Sequence, residues 1–243
     1  MRAIPTDNLP AHSLPADNAT GSTLATVTLI FCLISWVGTV HAAQPGRYSF
    51  DTNDDYLAPA EQFAPWAATL ARHDQQREAL LACADANDTC RGRLVSFNRV
   101  LSKSSALSLE EQIHLVNAYI NRTRYDRDHP KRRYDGSGQR IGAEHNHWAT
   151  LYEFLTENGD CEDYASAKYF MLRELGFPAD NMRIVVTYER RLSGYHAVLA
   201  LRFDDKQVWL LESDNVILKK YHTGYRYVYA MNENAVWDHR ADY

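Results

Sequence analysis

The sequence of 243 residues predicts an α+β fold. In the first half of the chain, apolar residues recur at helical spacing between polar segments. After residue 181 the period changes to two, in four short segments that are rich in Val, Tyr and Leu. Helices followed by a run of strands, with no internal repeat, are typical of an α+β domain.

Three helices are predicted in the first half. Residues 60–84 have helical spacing with an interruption at Pro65, and residues 92–103 form a shorter helix. Ser108 and Glu111 have the spacing of a capping box, which opens the third helix. The apolar stripe of that third helix consists of Leu109, Ile113, Val116 and Ile120.

Two further helices are predicted after a polar segment, residues 126–147. That segment contains glycine and predicts a long surface loop, a kind of loop that often carries function. Residues 147–158 predict a short helix. Asp160 is a natural N-cap for a longer helix over residues 161–175, which Gly176 ends.

The four strand segments predict an antiparallel sheet. They are MRIVVTYER, YHAVLALRF, VWLLES and YRYVYAMN, at residues 182–190, 195–203, 208–213 and 225–232. The sequence DDK at residues 204–206 predicts a tight turn that joins the second and third strands as a hairpin. We therefore expect the helix that follows Asp160 to pack on this sheet.

The N-terminal segment, residues 1–42, predicts export. Residues 24–38 form an uncharged apolar run that is followed by VHA at residues 40–42, which fits the small-x-small cleavage pattern of a secretory signal. The run is shorter than the about 20 residues of a membrane span. If the signal is cleaved, we expect no stable membrane insertion. An uncleaved anchor stays open, because the preceding segment is long and holds one basic residue, Arg2.

The remaining chain predicts one domain with two parts. Residues 43–107 are expected to be an N-terminal helical region, and residues 108–243 the helix-plus-sheet core. The formal net charge of −5 gives no reason to expect nucleic acid as a partner.

Three cysteines follow the predicted signal: Cys83, Cys90 and Cys161. An odd number in an exported protein indicates one pair and one free thiol. Cys83 and Cys90 are close in sequence and could form a disulfide in an oxidising compartment, which would leave Cys161 free. The alternative is three unpaired, buried cysteines.

The segment NGDCEDYASAKYF places Cys161 between carboxylates at a predicted helix start. Negative charge raises the pKa of a thiol, whereas a helix N-terminus lowers it. A thiol nucleophile also needs an imidazole and a group that orients the imidazole. His196 begins the second strand and Asp214 follows the third, so counting across the hairpin makes them neighbours. Taken singly, they are better explained as a strand-end histidine and a turn residue, but with Cys161 they predict a Cys-His-Asp triad.

The segments GDCEDYASAKYFMLRELG, YHAVLAL and LESDN resemble the bacterial transglutaminase-like cysteine proteinases, over about residues 108–220. The resemblance implies a periplasmic protease of papain-like fold. Cys161 would be the nucleophile, His196 the general base and acid, and Asp214 the residue that orients His196. The chain departs from the family at LESDN, because members usually have a hydrophobic residue and Leu before the Asp-Asn pair. This chain has Glu212 and Ser213 there.

The resemblance also implies a Ca²⁺ site beside the nucleophile. Family members bind calcium through acidic residues that match Asp160 and Glu162, and Asp163 is a further candidate. Calcium takes several oxygen ligands and makes clustered carboxylates tolerable. Without a metal, Asp160 would cap the helix, and Glu162 and Asp163 would favour its positive end. The two roles are compatible for Asp160.

The resemblance further implies two protein partners. The substrate would be a large surface adhesin, cut near its N-terminus so that it is released and the biofilm disperses. An inner-membrane receptor for cyclic-di-GMP would sequester the protease, with Trp148 as a candidate contact. Two alternatives stay open: an amide-exchanging or peptidoglycan hydrolase with the same triad, and a catalytically silent calcium-binding interaction module.

Overall fold

The helices and strands alternate in blocks along the chain. The computed structural model describes residues 48–50, 56–83, 90, 92–127, 131–134, 140–144, 147–203, 207–219 and 224–239. The predicted signal and the turn at residues 204–206 lie outside this part of the chain. The helices within it are α1 (Ala64–Ala82), α2 (Leu94–Ser105), α3 (Leu109–Ile120), α4 (Leu151–Thr156) and α5 (Cys161–Glu174).

The strands within the same residues form two sheets. They are β1 (Tyr56–Pro59), β2 (Lys131–Tyr134), β3 (Arg140–Glu144), β4 (Met182–Glu189), β5 (Gly194–Arg202), β6 (Val208–Leu211), β7 (Ile217–Leu218), β8 (Tyr225–Met231) and β9 (Ala235–Asp238). Seven of them form a sheet in the order β1-β9-β8-β4-β5-β6-β7, and β2 pairs with β3. Every strand pair in these sheets is antiparallel. The predicted α+β class is confirmed.

The starts of the helices follow local sequence chemistry. Ser108 caps α3, and its backbone N–H donates to the carboxylate of Glu111 at 3.0 Å, which is the capping box that the sequence predicts. α1 begins at Ala64, so Pro65 lies in its first turn. Its missing N–H has no helical partner there. The predicted interruption lies just before Pro65, at Phe63, between a 3₁₀ turn (Ala60–Gln62) and α1. Thr150 caps α4 through a second capping box with Glu153.

Strands lie within the segment predicted as a long loop and within the N-terminal region predicted as helical. Residues 131–134 and 140–144 pair as β2 and β3, and residues 56–59 pair with β9 as the edge strand β1. These strands are short and lack the runs of Val, Ile, Leu and Tyr that mark β4, β5 and β8, so the sequence pattern did not identify them.

Apolar residues cover both faces of the large sheet. On the helical face, Ala197, Leu199 and Leu201 of β5 belong to the main core with α5. On the opposite face, Val198 and Ala200 pack with aromatic residues of β8. This alternation along β5 is the period of two that the sequence predicts.

The central helix of the fold is α5. It packs on β4 and β5 and against α3 and α4, and every residue from Glu162 to Leu172 is buried. Burial on all sides explains why its apolar residues form no single stripe. Its N-terminus carries Cys161.

A disulfide joins Cys83, directly after α1, to Cys90. Their Cα atoms lie 5.7 Å apart. Cys161 is a free, half-buried thiol.

Candidate active site

The start of α5 is held by Asp163. Its Oδ2 accepts a hydrogen bond from the backbone N–H of Asp160 at 3.0 Å, and its Oδ1 accepts one from the N–H of Ala149 at 2.6 Å. Both oxygens therefore bind backbone donors, and Asp163 lies outside the group of ligand atoms that Asp160, Cys161 and Glu162 form. The structure thus engages Asp163 as a helix cap, and its role as a metal ligand stays a prediction.

The residue before Asp160 must be glycine. A Cβ atom on Gly159 would overlap the side chain of Asp163, so a larger residue would displace the carboxylate that caps α5. The sequence GDCED is thus explained in part by packing, apart from any chemistry of the thiol.

Cys161 lies in an environment that keeps its thiol protonated. Sγ donates a hydrogen bond to Oε2 of Glu162 at 3.2 Å. Burial, followed by the charge of Glu162 and this hydrogen bond, raises the pKa of Cys161, while a hydrogen bond from the backbone of Ala197 lowers it. The negative charge beside the thiol is therefore a real obstacle to thiolate formation.

The two carboxylates beside the thiol fit a divalent cation. Ligand atoms of Asp160, Cys161 and Glu162 lie within 4.8 Å of one another. Burial raises the pKa of Glu162, and a hydrogen bond to Asp160 and the charge of that residue raise it further. Two carboxylates that compete for one proton are stabilised by a cation between them, and carboxylate oxygens are calcium ligands.

His196 forms a hydrogen bond with Glu212. Its Nε2 lies 2.8 Å from Oε2 of Glu212, and both side chains are largely buried. An imidazole with a carboxylate on one nitrogen is fixed in orientation, and its other nitrogen, Nδ1, remains to exchange a proton.

Asp214, the residue predicted to orient His196, lies elsewhere. It is exposed, and its Oδ1 accepts a hydrogen bond from the backbone N–H of Val216 at 3.1 Å. The predicted pairing counted residues across the hairpin, but β6 ends at Leu211 and the chain then turns through Asn215, which has a φ of 75°. The structure therefore does not place Asp214 against His196, and the carboxylate that contacts His196 is that of Glu212.

Glu212 is positioned for this contact by the sheet register. Leu199 pairs with Leu211, so Glu212 extends the line opposite Val198 and lies diagonal to His196 on the same face. The signal was present in the sequence, because the departure LESDN placed a carboxylate two residues before Asp214.

Cys161 and His196 line one cavity of about 1020 Å³. Between these two described residues the structure contains no hydrogen bond, since the thiol proton is directed to Glu162. Asp160, Glu162 and aromatic side chains line the same cavity. The predicted nucleophile, base and acidic residues are thus brought together at one opening.

Trp148 forms part of the cavity wall. It is 3% exposed, and its ring packs edge-on against Phe63 and Trp66. Its backbone carbonyl accepts hydrogen bonds from Thr69 and Arg72. A side chain enclosed in this way offers little surface to another protein, and the role of Trp148 as a partner contact stays a prediction.

Comparison with known proteins gives a family and a fold. The family model "bacterial transglutaminase-like cysteine proteinase" matches residues 80–241. The structure of calcium-bound LapG from Legionella pneumophila is similar, with a TM-score of 0.55 and 25% identity over 66% of this chain and 86% of that chain. The EGTA-treated form of the same protein is also similar, with a TM-score of 0.54 and 25% identity over 68% and 86% of the two chains. No curated protein matches the sequence.

None of the helices described is both long enough and apolar enough to cross a membrane. The predicted signal lies outside the described residues.

Proposed function

Because the chain belongs to the bacterial transglutaminase-like cysteine proteinases, it is a cysteine protease, and we propose that Cys161, His196 and Glu212 form its catalytic triad. The observation that carries the proposal is the hydrogen bond of 2.8 Å between His196 and Glu212. The imidazole so oriented lines the same cavity as the thiol.

In this triad His196 moves protons between Cys161 and the substrate. Nδ1 takes the thiol proton, because Nε2 is engaged by Glu212. The thiolate sulfur bonds to the peptide carbonyl carbon, the C–N bond breaks, and the leaving amine takes the proton from His196, which leaves a thioester. Water that loses a proton to His196 then cleaves the thioester and restores the thiol. Glu212 stabilises the imidazolium and fixes its orientation.

Ca²⁺ held by Asp160 and Glu162 is the proposed cofactor. When bound, it supplies positive charge that offsets the carboxylates beside the thiol. This charge is needed because Glu162 is among the groups that raise the pKa of Cys161. The calcium-bound structure of Legionella pneumophila LapG, which resembles this chain, supports the proposal.

The proposed substrate is a large surface adhesin, and the proposed location is the periplasm. The predicted signal at residues 1–42 supports export. The family resemblance supports adhesin release, biofilm dispersal and sequestration by an inner-membrane receptor for cyclic-di-GMP. A substrate of this kind enters the cavity as an extended segment whose scissile carbonyl reaches Cys161.

The triad is tested by the rate at which iodoacetamide alkylates Cys161 in calcium chloride. Glu212→Gln removes the charge that stabilises the imidazolium, so we expect a rate at least about tenfold lower. Asp214→Asn, the matched control, should stay within about twofold of the unmodified protein. A slow Asp214→Asn variant beside a normal Glu212→Gln variant would return the role to Asp214. With the substrate, Cys161→Ser should leave the adhesin on the cell surface.

A further inference from the structure

The side chain of Lys168 is completely buried. It is 0% exposed and among the largest fully enclosed side chains of the described residues. Lysine is almost never found fully buried without a partner, because removing its charge from water is costly. Such a residue in the central helix of an active site therefore requires an explanation.

The partner of Lys168 is the backbone of Glu212. Nζ of Lys168 donates a hydrogen bond to the carbonyl oxygen of Glu212 at 2.5 Å. Nδ2 of Asn121, just after α3, donates to the same oxygen at 2.9 Å. Lys168 takes part in no ion pair among the described residues. Its Nζ lies 5.8 Å from the centre of the Tyr164 ring, and its hydrogen-bond partner there is the carbonyl of Glu212.

The hydrogen bonds from Lys168 and Asn121 hold the backbone of Glu212 at a point where the sheet no longer does. β6 ends at Leu211, so the backbone of Glu212 lies beyond the ladder, although its N–H still donates to the carbonyl of Val216 at 3.0 Å. Its carbonyl oxygen is instead held by donors from two helices. The position of the carboxylate relative to His196 thus depends on Lys168 and Asn121.

Lys168 also lies on the helix that carries the nucleophile. It follows Cys161 by seven residues, which is close to two turns of α-helix, so both residues occupy the same side of α5. One rigid helix therefore presents the thiol at its N-terminus and holds the backbone of Glu212 two turns later.

We propose that Lys168 is a positioning residue that, together with Asn121, fixes Glu212 against His196 through the backbone carbonyl of Glu212. This inference rests on the proposed role of Glu212 in the triad. Burial lowers the pKa of Lys168 to about 7, and the nearby charges of Glu212 and Asp214 oppose this shift. Either protonation state can donate the hydrogen bond.

The test is a double-mutant cycle on the alkylation of Cys161 by iodoacetamide in calcium chloride. Lys168→Met keeps most of the side-chain volume and removes the donor. The carbonyl of Glu212 keeps its hydrogen bond from Asn121, so we expect the variant to fold. We expect Lys168→Met to slow alkylation about tenfold. If Lys168 acts through Glu212, Lys168→Met combined with Glu212→Gln should be no slower than Glu212→Gln alone, within about twofold.

Two further variants complete the experiment: a control at another lysine and a change at the second donor to Glu212. Lys219→Met, which removes an exposed lysine paired with Glu110, should leave the rate unchanged. Asn121→Ala should slow it less than Lys168→Met, again without adding to Glu212→Gln, and this variant serves if Lys168→Met does not fold.

Two outcomes overturn proposals, and they are distinguishable. An unchanged rate for Lys168→Met, or an effect that multiplies that of Glu212→Gln, overturns the role of Lys168 and leaves the triad intact. A normal rate for Glu212→Gln overturns the triad itself.

Discussion

The carboxylate of Glu212 is held at both of its oxygens. Oε2 contacts His196, and Oε1 accepts a hydrogen bond from the hydroxyl of Tyr225 at 2.7 Å. Burial raises the pKa of Tyr225, and the charge of Glu212 raises it further, so the phenol remains a donor at every physiological pH. A carboxylate whose two oxygens are both hydrogen-bonded is fixed in rotation. Glu has one more rotatable bond than Asp, so it depends more on this restraint.

Replacing Tyr225 by Phe should therefore affect reactivity as well as stability. The change leaves Oε1 of a buried carboxylate without this donor, which costs about 1–3 kcal/mol of the free energy of unfolding. It also allows the carboxylate to rotate away from His196, so alkylation of Cys161 should slow about threefold to tenfold. Urea unfolding and the alkylation rate are the measurements.

Tyr119→Phe is the control for this variant. The hydroxyl of Tyr119 also donates a hydrogen bond of 2.7 Å, to the carbonyl of Arg93 at the start of α2, but this partly buried contact lies away from the cavity. Both variants should lose stability, and Tyr225→Phe alone should lose reactivity. Equal alkylation rates in the two variants would assign Tyr225 a purely structural role.

At the scale of the element, α5 was largely predictable and its surroundings were not. Asp160 and Gly176 mark its two ends in the sequence, because capping and helix termination are local. Its packing is not local: the stacking of Phe170 on His73 of α1, with ring centroids 3.8 Å apart, joins residues that are distant in the chain. For the same reason the sequence could not identify the buried contact between Lys168 and Glu212.

The interface of α1 and α5 predicts a dependence of stability on pH. Burial lowers the pKa of His73, and the charges of Glu174 and Asp74 oppose this while that of Arg77 adds to it. The folded pKa lies below the unfolded value of about 6.5, so between these values the unfolded chain binds more protons. The free energy of unfolding should therefore fall as the pH falls below about 6.5, and the contribution is fully present above that pH.

His73→Phe tests this linkage, because it keeps an aromatic ring against Phe170 without a titrating group. Urea unfolding at pH 7.5 and at pH 5 should show a smaller loss of stability for the variant than for the unmodified protein. Equal losses in the two proteins would show that His73 does not titrate differently on folding.

At the scale of the whole molecule, the centre of the sheet was predictable and its edges were not. β4, β5, β6 and β8 are rich in Val, Ile, Leu and Tyr, because the sheet buries them on both faces. The edge strand β1 and its neighbour β9 are four residues each, and neither was identified from the sequence. Counting across the hairpin did not place Asp214 against His196, because such counting holds only while the ladder continues, and this one ends at Leu211.

Calcium binding at Asp160 and Glu162 should stabilise the whole fold. A ligand that binds the folded chain adds about 2.7 kcal/mol to the free energy of unfolding at about 100 times its Kd. Calcium chloride should therefore raise the melting temperature relative to EGTA. Asp160→Asn and Glu162→Gln should abolish that increment, because they remove the carboxylates that would hold the ion.

Asp163→Asn separates the metal site from the helix cap. Asp163 accepts hydrogen bonds from the backbone N–H groups of Asp160 and Ala149, so weakening these contacts should lower the melting temperature equally in calcium and in EGTA. The increment due to calcium should survive in this variant. If Asp163→Asn loses the increment while Asp160→Asn and Glu162→Gln keep it, the ion is bound by Asp163, and the carboxylates beside Cys161 serve the helix terminus alone.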